Sequence, residues 1–360
     1  MTKRSIGIGV IGTGFGSYVL VPAFKALPSV TVLGVASRDS AHAAKAASDL
    51  GIRFYPSSHE LLQDPMISAV AIALPPAEHP AVVFEAVRAG KHVFCEKPMA
   101  LRIADTRLMM EAAKKANIVH MVDFEFREFP EVCAFRSIVQ SGALGTIQSI
   151  LAEWSVGTWA DASRPWSWKC DLKQGGGVLT ALGMHMLDLL EFTIGPLRSV
   201  RAKLSTSIAH RSLPNGTTRP VTAEDTAEID LQFLSGISGN LRLSNVQTSG
   251  AGQWLTVIGT EKSVRVGSGN AEHYGQRFDL DEGVDGVWQP IPLKTETIDT
   301  EDGRIRAVRI LASRFADAIR TGNRDVRPSF LDGVRGQIIL DAVRESHRLG
   351  TSVEIFEPLA

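Results

Sequence analysis

The chain has 360 residues, more than a single hydrophobic core usually serves, so two domains are expected. Its 44% apolar and 21% charged residues are ordinary for a soluble globular protein. A formal net charge of −1 gives no electrostatic reason to expect nucleic acid or an anionic membrane as partner.

The N-terminal run MTKRSIGIGVIGTGFGS is too short and too rich in glycine for a signal peptide or a membrane span. Its SIGIGVI segment is a β-branched run of the kind buried in a parallel sheet. Gly12-Thr13-Gly14-Phe15-Gly16-Ser17 follows, and VLVPAFKAL after it has helical apolar spacing. Strand, glycine turn and helix in that order form a dinucleotide cradle. Gly12 permits the tight turn, Gly14 the approach of a pyrophosphate to the helix start, and Ser17 takes the third small position. The next strand, VTVLGVAS, ends at Ser37-Arg38-Asp39. A hydroxyl and a guanidinium suit a ribose 2′-phosphate, so NADP is expected ahead of NAD. The plainer alternative makes Arg38 a solvated charge and Asp39 the ribose acid.

AVAIALPP reads as a buried strand running into Leu74-Pro75-Pro76, and HPAVVFEAVRAG as a helix ended by Gly90. KHVFCEKP is a further strand with Glu96, Lys97 and Pro98 at its carboxyl end. Ligands of doubly wound sheets bind at that edge, where all these strand ends converge. Downstream, EWSVGTWADASRPWSWK carries Trp154, Trp159, Trp166 and Trp168. Such clusters are usually core or interface; here some of them are candidates for the wall of a pocket that takes a sugar ring or a planar aromatic. GGGVLTALGMHMLD then brings His185 and Asp188 onto one helix. At regular α spacing, Ala181 and Asp188 fall nearly on one line with His185 beside it, so Asp188 can hold the His185 tautomer. The alternative is that Asp188 binds a backbone amide and His185 is a satisfied buried polar group. Beyond residue 200, EDTAEIDLQFLSG, GNLRLSNV and QWLTVIGT alternate as antiparallel strands do. RIRAVRILASRFADAIRTG and SFLDGVRGQIILDAVRESHRLG read as amphipathic helices ended by glycine. Cys95, Cys133 and Cys170 are too few for a disulfide framework and form no CxxC, which points to a reducing cytoplasm. His42, His59, His120, His210, His273 and His347 show no metal-ligand spacing, so no metal is expected.

The segments VIGTGFGS, ALPPAEHPAVVFEAVRAGKHVFCEKPMAL and GGGVLTALGMHMLD, with weaker echoes in FEFREFPEV, SGALGTI, EDTAEIDLQFLSGISGNL and WLTVIGTEKSVRV, span nearly the whole chain. In these the sequence resembles the Gfo/Idh/MocA (glucose–fructose oxidoreductase / inositol dehydrogenase) family. The resemblance implies an α/β chain: a Rossmann domain over 1–124, then an α+β domain over 125–360. The second would hold a large, open, mostly antiparallel sheet used for contacts in a homodimer or homotetramer. It implies NAD(P)-dependent hydride transfer at a CH–OH/C=O centre of a sugar, cyclitol or glycoside-like substrate. Lys97 matches the family's catalytic lysine, with a Lys97–Pro98 bond that is often cis, and His185 its active-site histidine. Pro75 matches a proline beside the nicotinamide and His79 a histidine near the cofactor. Trp168-Lys169 stands where Trp-Arg is frequent. The expected cofactor residues are thus Gly12, Gly14, Phe15, Gly16, Ser37, Arg38, Leu74, Pro75, His79, Glu96 and Lys97. The expected substrate residues are Trp166, Trp168, Lys169 and His185, with Lys97, His185 and Asp188 catalytic. One position departs: Ala181 stands where the family's usual aspartate precedes the histidine by four residues. That loss gives weight to a second class of function, a non-catalytic NAD(P)-sensing regulator. Reduction of aromatic or conjugated substrates, as in dihydrodiol dehydrogenase or biliverdin reductase-like relatives, is a third.

Overall fold

The structure, a computed structural model, describes residues 5–269, 275, 277–293 and 302–355; His273 lies outside them. The chain divides into two compact units, Met1–Glu125 with Thr300–Gln337 and Phe126–Asp299 with Ile338–Ala360.

The first unit is built on six parallel strands: β1 (Ile6–Ile11), β2 (Val30–Ala36), β3 (Arg53–Tyr55), β4 (Ala69–Ile72), β5 (His92–Cys95) and β6 (His120–Val122). Their order is β3-β2-β1-β4-β5-β6. β1 and β4 are buried along their whole length, as the unbroken apolar runs require. The order reverses between β1 and β4, which opens a crevice at their carboxyl ends. The helix Gly303–Thr321 belongs to this unit, although its place in the sequence assigns it to the second domain. Its apolar stripe explains why. Ile305, Val308, Leu311, Ala312 and Phe315 join the same core cluster as Phe24 and Phe94. The Phe315 ring lies 5.8 Å from Phe94 and 6.4 Å from Phe24, edge to face. Burying such a stripe is worth about 1.5–3 kcal/mol per large side chain, which outweighs distance along the chain. The C-terminal Gly322, at φ +74°, ends the helix as its position predicts.

The second unit holds a nine-stranded mixed sheet. Its strands are β7 (Ile147–Ser155), β8 (Leu197–Ser205), β11 (Thr226–Phe233), β12 (Ser238–Ser244), β13 (Gly252–Gly259), β14 (Ser263–Ser268), β15 (Asp279–Val284), β16 (Val287–Pro290) and β17 (Val353–Glu354). A separate ribbon pairs β9 (His210–Ser212) with β10 (Thr218–Pro220). The sheet order is β16-β15-β14-β13-β7-β12-β11-β8-β17; β12 and β7 run parallel and the other pairs antiparallel. β11 shows why one face is inside: Ala227, Ile229, Leu231 and Phe233 are buried and Glu228 and Asp230 exposed. On the outer face Glu228 sits between Lys203 and Arg242 across the strands, so opposite charges oppose one another. No helix among the described residues is long and apolar enough to cross a membrane. The three cysteines are free thiols.

Candidate active site

The first unit shapes a cradle at the ends of β1 and β4. Gly12 has φ +111°, and a Cβ there would meet the Ala73 carbonyl oxygen at 2.1 Å. Only glycine fits a backbone pressed that closely on the next strand's exit. A Cβ on Gly14 would meet nothing within 4 Å, so that stretch of backbone stands open. The helix that follows starts as a π-turn, Gly16–Leu20, and continues as Val21–Lys25. Ser17 is buried and its amide donates to the Gly14 carbonyl. Open glycine backbone leading into a helix fits a dinucleotide pyrophosphate. Phe15 is half-buried, with the Arg304 guanidinium 5.3 Å from its ring centre.

At the end of β2, Arg38 pairs with Glu78 at 2.8 Å. Its side chain remains 78% exposed, so the pair is worth at most about 1 kcal/mol and is easily exchanged. Asp39 caps the helix Ser40–Leu50 by accepting from the His42 amide. Ser37, Leu74 and Pro75 are half-buried at neighbouring strand ends.

Glu96 and Lys97 follow β5 directly, and the Lys97–Pro98 bond is cis. Lys97 is half-buried. His79 meets Pro98 through one of its ring nitrogens. It is fully buried, its Nδ1 lies 3.0 Å from the Pro98 carbonyl oxygen, and burial lowers its pKa to about 4. A neutral imidazole in that position braces the proline bend that carries Lys97. Two acids not singled out from the sequence, Asp123 and Glu125, are buried within electrostatic reach of Lys97. Burial raises the Asp123 carboxyl well above its usual range, with Glu96 adding to it. Burial, then Glu96, pushes Glu125 up to about 8. The Glu96 carboxyl is raised by burial as well, against the pull of Lys97.

The second unit carries the histidine. Gly175 and Gly177 are at φ +87° and +109°, and a Cβ on Gly177 would strike Glu224 Oε1 at 2.3 Å. Glu224 fills that space and accepts from the Leu179 amide at 3.1 Å, capping the helix start. The helix opens with a π-turn, Leu179–Gly183, and becomes α over Met184–Thr193. The regular spacing assumed between Ala181 and His185 is therefore broken by a wider turn. Ala181 is exposed while His185 is 6% exposed. The His185 ring stacks on Phe126 at 4.1 Å and 13°, with Trp154 6.1 Å away. Asp188 is bound by a side chain from another element. Arg127 donates to both of its oxygens, at 2.9 and 2.5 Å. Arg127 and Phe126, adjacent in FEFREFPEV, thus hold Asp188 and His185 respectively. Neither stands out in the sequence, because each partner is about sixty residues away.

The tryptophans divide. Trp154 is core. Trp159 is ringed by the cations of Arg164, Arg211 and Lys169, at 4.3, 5.2 and 6.0 Å. Trp166 is pinned, its Nε1 donating to the Pro220 carbonyl and its ring covered by Arg219 at 3.9 Å. Trp168 is half-buried, with the exposed Lys169 ammonium 5.9 Å from its ring. No group of three or more metal-ligating side chains occurs among the described residues.

Residues 6–124 match the family profile described as an oxidoreductase family with an NAD-binding Rossmann fold. Residues 136–355 match the profile of the C-terminal alpha/beta domain of that family. An uncharacterized oxidoreductase of Synechocystis sp. is 33% identical, over 97% of this chain and 96% of its own. The levoglucosan dehydrogenase of Pseudarthrobacter phenanthrenivorans is 30% identical, over 95% and 96%. A solved levoglucosan dehydrogenase in complex with NADH and levoglucosan superposes with a TM-score of 0.87 at 26% identity, covering 98% of this chain and all of that one. With both domains matched in order, the chain belongs to the Gfo/Idh/MocA family of oxidoreductases.

Proposed function

We propose that the protein is an NAD(P)-dependent dehydrogenase that moves a hydride between nicotinamide and a CH–OH/C=O centre of a sugar, cyclitol or glycoside-like substrate, with NADP preferred. The observation that carries this reading is the shared edge of the first unit's sheet. The open Gly12–Gly14 turn, Leu74-Pro75 and Glu96-Lys97 follow the adjacent strands β1, β4 and β5. Gly12, Gly14, Phe15 and Gly16 would hold the pyrophosphate, and Ser37 and Arg38 the ribose end. A bound nicotinamide supplies the hydride acceptor or donor.

The protein's own groups handle the proton and the charge. Lys97, braced through Pro98 by His79, offers a fixed cation to the substrate oxygen as negative charge develops. His185, oriented by its stack on Phe126, serves as a proton acceptor in the same reading. Asp188 acts at one remove, fixing Arg127 and the helix that bears the histidine. Trp166, Trp168 and Lys169 are proposed to line the sugar side, where half-buried indoles offer flat apolar faces. The preference for NADP rests on Arg38. Its exposed pair with Glu78 is cheap to open, and the neighbouring Asp39 carboxylate is engaged as a helix cap. Exposed charges on the outer face of the second unit's sheet, balanced across strands, suit pairing with a second copy, and a homodimer or homotetramer is proposed.

The test is a screen of sugars, cyclitols and anhydrosugars, levoglucosan included, against NADP⁺ and NAD⁺, following the absorbance of reduced nicotinamide. Turnover that disappears in Lys97→Met supports the reading. Cofactor binding with no turnover on any of these substrates would favour the sensing regulator, for which the alanine at position 181 is the motivating observation.

A further inference from the structure

The first unit contains a charge imbalance that the reaction can use. Glu96 and Asp123 directly follow β5 and β6, which pair with Cys95 opposite Val122, so the two carboxyls leave neighbouring strand ends side by side. Glu125 comes two residues later. Asp123 is 0% and Glu125 2% exposed, and Glu96 is half-buried with its Oε1 out of contact with solvent. The facing charged groups are Lys97, which acts on all three acids, and Arg304, which acts on Glu96 and Glu125. Arg304 is already held by the ionised carboxylate of Asp302 at 2.9 Å. Of the other titratable neighbours, Cys95 is kept as a thiol by burial and His79 is kept neutral by burial.

Four carboxyls therefore meet two cations, with Asp123 and Glu125 buried and Glu96, Lys97, Asp302 and Arg304 half-buried. Full ionisation would leave excess buried negative charge, which proteins avoid by holding protons instead. The Glu96 carboxyl is near enough to share the Asp123 proton. Yet neither Asp123 oxygen nor Glu96 Oε1 completes a well-aligned hydrogen bond, so the proton is not locked to one site.

We infer that Asp123 and Glu125, with Glu96, form an internal proton store coupled to Lys97, and that this store does the work of the acid lost at Ala181. The inference rests on the reading of Lys97 as the group that meets the substrate oxygen. In the oxidative direction the substrate's C–H bond breaks with its electron pair leaving to the oxidised nicotinamide, and its O–H bond breaks as C=O forms. The hydroxyl proton passes to Lys97 Nζ as the Lys97 ammonium gives one of its own protons to a carboxylate of the cluster, which becomes the acid. Lys97 ends as the cation it began as, and the proton gained by the cluster balances the positive charge lost when the nicotinamide is reduced. The reductive direction runs the same transfers backwards, the cluster supplying the proton that the new hydroxyl takes. The buried carboxyl at Glu125, titrating at about 8, suits both directions near neutrality. Asp123 and Glu125 touch neither substrate nor cofactor in this scheme; they are positioning residues that act through Lys97.

The experiment uses the whole protein with Asp123→Asn, Glu125→Gln and Glu125→Asp. Difference infrared spectra of the protein without cofactor, recorded against pH, read the C=O stretch of protonated carboxyl groups. The parent should show such a band at neutral pH that diminishes in Asp123→Asn and Glu125→Gln. On a substrate that turns over, the two amide variants should lose about 10- to 100-fold in kcat with little change in KM, and the pH dependence of kcat should shift. Glu125→Asp should restore most of the parent profile. A purely structural role would lower thermal stability and leave the profile where it was. If Asp123→Asn fails to fold, Glu125→Gln and the parent's infrared titration still decide. No protonated-carboxyl band at neutral pH, or amide variants with the parent's kcat and profile, would overturn the inference while Lys97→Met could still abolish turnover. Turnover retained in Lys97→Met would instead remove the reading on which the inference rests.

Discussion

Removing either member of the Arg127–Asp188 pair should destabilise the second unit sharply, while removing both should not. The two side chains are 13% and 5% exposed and meet through two hydrogen bonds of 2.9 and 2.5 Å. Deleting one partner of a pair buried to this degree costs about 3–5 kcal/mol, because the other charge stays desolvated without its counterpart. Arg127→Met removes both of these hydrogen bonds from the Asp188 carboxylate, and Asp188→Leu removes the carboxylate from a guanidinium that also lies 5.1 Å from the Phe192 ring centre. The unit has roughly 200 residues, for which 1 kcal/mol moves the midpoint by about 2–4 °C. Each single variant should therefore unfold about 6–20 °C earlier. The assay is simple, since all six tryptophans lie between Trp154 and Trp288, within this unit. Tryptophan fluorescence follows its unfolding without contribution from the first unit. Arg127→Met with Asp188→Leu should recover most of the loss, giving a strong favourable coupling in the double-mutant cycle. Single variants within about 1 kcal/mol of the parent, or a double variant whose losses simply add, would refute the assignment of a buried, mutually dependent pair.

Gly12→Ala should weaken binding of nicotinamide nucleotides at least about 10-fold and lower the first unit's stability, since the added Cβ meets a carbonyl oxygen at a φ that side chains rarely adopt. Wild-type affinity by calorimetry would contradict the cradle. Arg38→Ala should lose about 1.5–3 kcal/mol of NADP binding and almost none of NAD binding. Equal losses, or a parent that prefers NAD, would end the NADP assignment. The buried His120, whose Nδ1 accepts from the Phe330 amide, has its pKa lowered to about 4 by burial. A depressed histidine binds fewer protons folded than unfolded between about 4 and its usual 6.5, so its contribution is complete above 6.5 and is lost as pH falls through that window. Parent stability minus that of His120→Asn, measured by urea unfolding, should rise by about 3 kcal/mol from pH 4 to 6.5. A flat difference would show that the imidazole charges freely in the folded state.

Much of this molecule can be read from short-range signals. The strand–glycine–helix order at Gly12 and the proline after Lys97 are local, and the structure shows both as a tight left-handed turn and a cis bond. The alternation in Thr226–Phe233 likewise faces one side of a sheet inward, as period-two burial demands. What escaped the sequence depends on partners far along the chain. Nothing in RIRAVRILASRFADAIRTG says which core its stripe joins; the choice is made by Phe24 and Phe94, more than two hundred residues earlier. The wide turn at Leu179–Gly183 arises inside a segment whose composition is helical throughout, so the regular spacing drawn from it misplaces Ala181. Glu224 gives the glycine triplet a physical reason, since its carboxyl occupies the space a side chain at Gly177 would need. Asp123 and Glu125 look like surface acids in a charged stretch, and only the pairing of β5 with β6 brings Asp123 to the strand end beside Glu96 and Lys97. His79 sits at a helix start, and its Nδ1 contact with the Pro98 carbonyl, nineteen residues on, has no signal in the local sequence.

The most direct test of the account is single-turnover hydride transfer, monitored by reduced-nicotinamide absorbance, in the parent, Lys97→Met and His185→Ala with a substrate from the sugar and anhydrosugar screen. Measurable transfer is expected in the parent and a loss of about 10²–10⁴-fold in each variant, larger than any accompanying loss of cofactor affinity. Transfer in both variants at the parent's rate, or a parent that binds cofactor and transfers to no alcohol or carbonyl offered, would contradict it.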